Sequence, residues 1–182
     1  MGLQVIFVVE TNSKCMSDWI YIKNTINRFY NYDGNNVKLS PIYMNGKGNY
    51  KTTKIKKEIG VYISQYTSCS KEHQSKVIYC FDCDDYDFKP EDSKFLEEAR
   101  DYCNTQGYDF VWFCKDIECV YLGNRIDRKE KKSQSTAFQR RKGINQVDFK
   151  KLQGERYQNN TSNILNVLDQ YLVRKEEYRN KF

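Results

Sequence analysis

The run Lys76–Asp87, KVIYCFDCDDYD, constrains this chain more than any other stretch. Val77, Ile78, Tyr79, Cys80 and Phe81 are apolar without interruption, and Asp82, Asp84, Asp85 and Asp87 follow at once. An apolar run of this length bounded by charge reads as a strand buried on both faces, as inner strands of parallel sheets are. Its last residues then emerge at a sheet edge, where acidic side chains meet water or a cation. Asp82 and Asp84 are separated by one residue, so on an extended backbone they point to the same side. Carboxylates held that close repel each other unless something cationic lies between them. Hard oxygen ligands on a rigid strand end suit Mg²⁺ or Mn²⁺. The competing reading is a solvated acidic loop that leads into the next helix.

The rest of the chain supplies a setting for that strand. Leu3–Val9 is a second two-face-buried run, and it too ends in a carboxylate, Glu10. A polar connector from Ser13 to Asp18 follows, with Ser17 as a helix cap. Trp19, Ile22, Ile26 and Phe29 then recur at helical spacing as far as the turn Asp33-Gly34-Asn35-Asn36. Val37–Met44 reads as a strand whose Pro41 cannot donate to a ladder, which assigns it to a sheet edge. After the loop Asn45-Gly46-Lys47-Gly48-Asn49, the residues Ile55, Ile59, Ile63 and Tyr66 mark a second helix. Pro90 opens a third, with Glu91 and Asp92 at the positive end of its dipole, and Gly107 stops it. Asp109–Cys114 is a fourth strand. Strands alternating with helices predict an α/β fold with a mainly parallel sheet and helices on both faces.

From Asn124 to Gln146 apolar periodicity disappears, and Arg125, Arg128, Lys129, Lys131, Lys132, Arg140, Arg141 and Lys142 face only Asp127 and Glu130. The segment reads as a basic loop. A last helix, capped by Asn160 or Thr161, carries Ile164, Leu165, Leu168, Tyr171 and Leu172, and Arg174–Phe182 reads as a frayed charged end. The 182 residues therefore predict a single domain: an α/β core over 1–122, with the basic loop and C-terminal helix of 123–182 packed on it.

Composition narrows the setting. No stretch approaches the length of a membrane span, and the Val5–Val9 run lacks a basic leader, so neither a membrane anchor nor a signal peptide is expected. Seven cysteines, an odd number, argue for reduced thiols in a cytoplasm. Cys80 and Cys83 lie within the strand region, and no other pair shares their spacing, so buried structural thiols are favoured over zinc. A net charge of +6 admits an anionic partner.

If the first and third strands are neighbours, Glu10 meets the Asp82/Asp84 pair at one edge, since adjacent strands lie about 4.8 Å apart. The order 2-1-3-4 satisfies this and leaves the Pro41 strand at an edge. It also makes the crevice between strands one and three a topological switch point, where open α/β sheets bind ligands.

A glutamate ending the first strand and an Asp-x-Asp ending the third resemble the Toprim motif, in particular that of small stand-alone Toprim proteins of the RloB and OLD nuclease kind. The Gly46-Lys47-Gly48 loop, the run Phe81-Asp82-Cys83-Asp84-Asp85 and Ile117-Glu118 add to the likeness, which covers about residues 3–122. The resemblance implies a metal-dependent nuclease of bacterial or phage defence or DNA processing. Glu10, Asp82 and Asp84 would be its catalytic and metal-binding acids, with Asp18, Asp85 or Glu118 completing the shell around Mg²⁺ or Mn²⁺. Departures exist. Thr11 follows Glu10 where such proteins have glycine, Asp18 comes after extra residues, and Cys119, Val120 and Gly123 replace the usual aromatic and histidine positions.

A polynucleotide, DNA in the first instance, needs a positive track beside the acids. Lys47 and Lys51 offer one, and Arg125, Arg128, Lys131, Lys132, Arg140, Arg141 and Lys142 another, while Tyr121 and Phe138 flank the loop as candidates to stack on bases, core packing being favoured for Tyr121. The alternative is a non-catalytic protein on the same scaffold that binds DNA or a host or phage nuclease, as anti-CRISPR inhibitors do. His73, the sole histidine, lies away from the acids, so histidine-assisted nucleophilic chemistry has no base.

Overall fold

Strand β1 (Leu3–Val9) is an inner strand of the sheet because both of its faces are apolar. Val5, Phe7 and Val9 enter one core and Ile6 and Val8 the other, all without solvent exposure. The computed structural model describes residues 2–179. Its further strands are β2 (Tyr30–Asn31), β3 (Val37–Tyr43), β4 (Gln74–Asp82), β5 (Asp109–Cys114), β6 (Thr161–Ser162) and β7 (Val173–Arg174). The helices are α1 (Ser17–Phe29), α2 (Thr53–Cys69), α3 (Pro90–Gln106), α4 (Ile117–Leu122), α5 (Lys131–Arg140), α6 (Ile164–Leu168) and α7 (Glu176–Arg179).

β1 pairs in parallel with β3 on one side and β4 on the other, and β4 pairs in parallel with β5. Pro41 stands opposite Phe7 on the edge strand β3, where its missing N–H costs no ladder bond. Helices α1, α4, α5 and α6 cover one face, while α2 and α3 cover the other through Ile55, Ile59, Leu96 and Ala99. Burying the alternate sides of β1 and β4 in two separate cores is what fixes strand register, since a slip of one residue would exchange the faces. No helix among the described residues is long and apolar enough to cross a membrane.

The sheet order, β3-β1-β4-β5-β6, differs from the expected four-strand one by a fifth, antiparallel strand. Its residues Thr161 and Ser162 were expected to begin a helix. They pair with Cys114 and Phe113 instead, and the side chain of Asn163 continues the edge. Asn163 accepts from the Trp112 N–H at 3.0 Å and donates to the Phe110 carbonyl at 2.9 Å. Helix α6 is correspondingly short. Tyr171, expected on its apolar stripe, donates its hydroxyl to Asp109 at 2.6 Å.

Two further expectations are corrected. The basic segment contains helix α5, whose buried residues are Ser135 and Phe138. Phe138 is buried against Tyr21 and Tyr121, with ring centroids 5.0 and 5.8 Å away, so both Tyr121 and Phe138 are core residues. One aromatic per ten-residue helix is too little to create a visible apolar period. The end of the chain is also more ordered than expected. β7 pairs with β2, and Arg174 is buried in a bidentate ion pair with Asp169 at 2.6 Å. Residues 180–182 of that end lie outside the described residues. All seven cysteines are free, and Cys80, Cys83, Cys103, Cys114 and Cys119 are buried.

Candidate functional site

Because β1 and β4 are adjacent and parallel, their C-terminal ends open on the same sheet edge. Glu10 follows the last residue of β1, and its Oε1 accepts the Asp82 backbone N–H at 2.9 Å. Asp82 is the last residue of β4. Strand alternation directs it to the face carrying Ile78 and Cys80, where its Oδ1 accepts the Ile117 N–H of α4 at 2.9 Å. Asp18, in the first turn of α1, is buried there as well and accepts the Thr11 N–H at 3.0 Å. Glu10, Asp18 and Asp82 thus line one cleft of ≈ 430 Å³, together with Thr11, Arg128 and Lys131.

Behind them lies Glu118 of α4, with 0% exposure. Its Oε2 pairs with Lys131 Nζ at 2.8 Å, and its Oε1 finds no hydrogen-bond partner among the described residues. The hydroxyl of Tyr21, fully buried on the same face, is also without a partner there. Unsatisfied buried oxygens are costly and uncommon.

The electrostatics follow from burial and like charge. Removal from water pushes the Glu10 carboxyl up to about 8; the Asp82 N–H and Lys47 oppose the rise, while Asp18 and Asp84 add to it. Burial also raises Asp82 well above the usual carboxylate range, reinforced by Glu10 and Asp18 and opposed by Lys131. Asp18 and Glu118 rise for the same first reason, and in Glu118 the neighbouring Lys131 holds the rise back. For Lys131 burial disfavours the ammonium, but Asp82, Glu118 and Asp18 outweigh it and its pKa rises. Lysine is therefore the resident cation of this cleft.

The expected companion of Asp82 faces other partners. Asp84 has φ 50°, in the left-handed region, so the extended alternation that would align it with Asp82 has already ended. Its carboxylate pairs with Lys47, which also reaches Asp92 at 3.0 Å. Asp84 nevertheless remains within electrostatic reach of Glu10. Asp85 is separate from the cleft. It binds Lys89 at 2.9 Å and Arg125 at 2.6 Å, contacts that hold its carboxyl down at about 2.

The basic residues divide in the same way. Lys47, Arg125 and Lys131 are engaged with acids, Arg125 also facing Asp116 at 3.5 Å. Arg128 is exposed at the cleft mouth, and Lys132, Arg140, Arg141 and Lys142 are exposed on and just after α5. Lys51 is exposed beside the Tyr50 ring. Sequence reasoning did not single out Tyr21 or Asp116. Asp116 caps α4 by accepting the Cys119 N–H at 2.7 Å, a role its position just before Ile117-Glu118 could have suggested.

The donor chemistry fits the hard divalent cation that the Toprim resemblance implies, since the acids offer oxygen only and one Glu118 oxygen is unused. As the side chains stand, no group of three His, Cys, Asp or Glu among the described residues is arranged to hold a metal ion. Lys47 is paired with Asp84 and Asp92, and Lys131 with Glu118. No protein-family model matches the chain, and neither a curated protein nor a solved structure matches it.

Proposed function

We propose that this chain is a metal-dependent phosphodiesterase acting on a polynucleotide, on a Toprim-like α/β scaffold. The observation that carries the reading is the convergence of Glu10, Asp18 and Asp82, from three separate segments, on one cleft at the ends of adjacent parallel strands. Glu10 and Asp82, with Asp84 close by, would hold Mg²⁺ or Mn²⁺, and Asp18 and Glu118 would support them from the α1 and α4 side. Such a cation polarises a phosphodiester and lowers the pKa of bound water. The chain's own groups do the rest. Lys131 stabilises negative charge at the cleft floor, and the Asp82 N–H orients the Glu10 carboxylate. Arg128 stands at the mouth with Lys132, Arg140, Arg141 and Lys142 beyond it, a positive flank suited to a sugar-phosphate backbone.

A second reading has its own support. Lys131 and Lys47 already satisfy part of the acidic set, and no described trio is arranged around a metal. A charge-closed cleft beside a basic helix also suits a protein that binds DNA or a nuclease without cutting, as an anti-CRISPR inhibitor does.

Incubation with supercoiled plasmid and Mg²⁺ or Mn²⁺ separates the two. Nicking by the wild type that is lost in Glu10→Gln/Asp82→Asn supports cleavage. Retarded but uncut DNA, equal in both proteins and weakened steeply by salt, supports the binding protein. Nicking that persists in the variant refutes the acids' role.

A further inference from the structure

Strands β4 and β5 end side by side, and a cysteine stands at each end. The last pair in register is Asp82 opposite Phe113, so Cys83 and Cys114 are the next two residues across the parallel strands. The backbones are still joined there, the Cys83 N–H donating to the Phe113 carbonyl at 2.9 Å. Facing residues on neighbouring strands have side chains on one side of the sheet. Both thiols accordingly lie in the core covered by α2 and α3, without solvent exposure. The Cys114 thiol donates to Cys83 Sγ, and the two sulfurs are 2.9 Å apart.

This is the placement a disulfide requires. Adjacent strands lie about 4.8 Å apart, within the ~4.4–6.8 Å of Cα separation that a disulfide spans. The sulfurs already face each other, so a small side-chain rotation brings them to the ~2.0 Å bond. Both cysteines are free, and neither lines the acidic cleft. Burial pushes the Cys83 thiol up, which keeps it protonated in the closed fold, so reaction proceeds through local opening.

We propose that Cys83 and Cys114 form an oxidative modification site, closing to a disulfide with hydrogen peroxide or another hydroperoxide as the oxidant. One thiol loses its proton and attacks a peroxide oxygen, breaking the O–O bond; a sulfenic acid forms, and the departing hydroxide takes the proton to become water. The second thiol then displaces the sulfenic hydroxyl as a second water, and the S–S bond forms. Two thiols are oxidised by two electrons in all, and one peroxide is reduced to two waters. The bond ties the residue between Asp82 and Asp84 to the end of β5, so oxidation clamps the turn that carries both acids. It stands independently of the metal-dependent reading.

The test uses the full chain with Cys15→Ser and Cys69→Ser, which removes the two cysteines that are not buried. After treatment with hydrogen peroxide the protein is unfolded, alkylated and digested without reduction. A Cys83–Cys114 peptide pair, lighter by two hydrogens than its separate parts and opened by dithiothreitol, supports the proposal. Both cysteines recovered as alkylated thiols once the exposed Met16 has become sulfoxide, or either one joined to a different cysteine, overturns it. The linked protein should show a urea midpoint higher by roughly 1 M, since the bond restricts the unfolded chain. Cys114→Ala should abolish both the linked pair and the shift. Should that variant fail to fold, the oxidised protein measured before and after dithiothreitol supplies the same difference. An unchanged or lowered midpoint in the linked protein overturns the clamp.

Discussion

Replacing Lys131 by methionine tests the charge balance of the cleft without reference to catalysis. The substitution keeps most of the side chain's apolar stem and removes the ammonium paired with Glu118 at 2.8 Å. Breaking a buried ion pair from one side costs about 3–5 kcal/mol, because the remaining charge is stranded. Glu118 is fully buried, but the Lys131 side chain is 22% exposed, which discounts the expected loss toward about 3 kcal/mol. With a urea m-value of about 2 kcal/mol/M, the midpoint should fall by roughly 1.5 M. Adding Glu118→Gln removes the stranded charge, so the double variant should recover at least half of the loss. The pH dependence has a definite sign. Without its lysine, Glu118 is raised further above its unfolded value, and a raised carboxyl favours the fold below the unfolded pKa and loses that contribution as pH rises through the folded one. The deficit of Lys131→Met should therefore shrink toward pH 4.5 and grow toward pH 8, in metal-free buffer. A midpoint shift under about 0.5 M, or a double variant no more stable than the single one, would refute the pairing.

Other parts of the fold make independent predictions. At pH 8 a thiol reagent should label Cys15 and Cys69 in the native protein, while burial, which pushes the Cys103 thiol up to about 12, protects it until unfolding; mass mapping that finds Cys103 labelled early would contradict the packing of α3. Gly154→Ala should cost about 1–3 kcal/mol in thermal or urea melts, because a Cβ there would meet the Trp112 ring at 2.6 Å. Asn163→Ala should cost a similar ~1–3 kcal/mol by leaving the Trp112 N–H and Phe110 carbonyl unpaired, and hydrogen exchange at Trp112 should accelerate.

The parts of the fold legible in the sequence are those where one local pattern is enough. Leu3–Val9 and the run ending at Asp82 are apolar on both faces, which marks each as an inner strand, and the pairing of β1 with β4 brings their terminal acids to the same edge. Pro41 marks its strand as an edge for an equally local reason. What stayed hidden depends on contacts between distant segments. Helix α5 is stabilised by Phe138 against Tyr21 and Tyr121, a tertiary arrangement without any repeating signal in the basic segment. Strand β6 has two residues, and it exists because Asn163 staples its continuation to β5.

The same distinction explains the site. Strand ends brought Glu10 and Asp82 together as spacing suggested, but the parity argument for Asp84 presumed an extended chain beyond Asp82. The strand stops at Asp82, Asp84 turns into the left-handed region, and Lys47 receives it. Likewise, Lys131 reads in sequence as one of many basic residues of a solvated track, because nothing local links it to Glu118. Once α5 folds, that lysine is drawn under the acids while Lys132, one residue later, points to solvent. Carboxylates on strand ends thus establish where negative charge accumulates, and the first turns of the surrounding helices determine what neutralises it. Any chemistry in this cleft has to be worked out from both sets of residues.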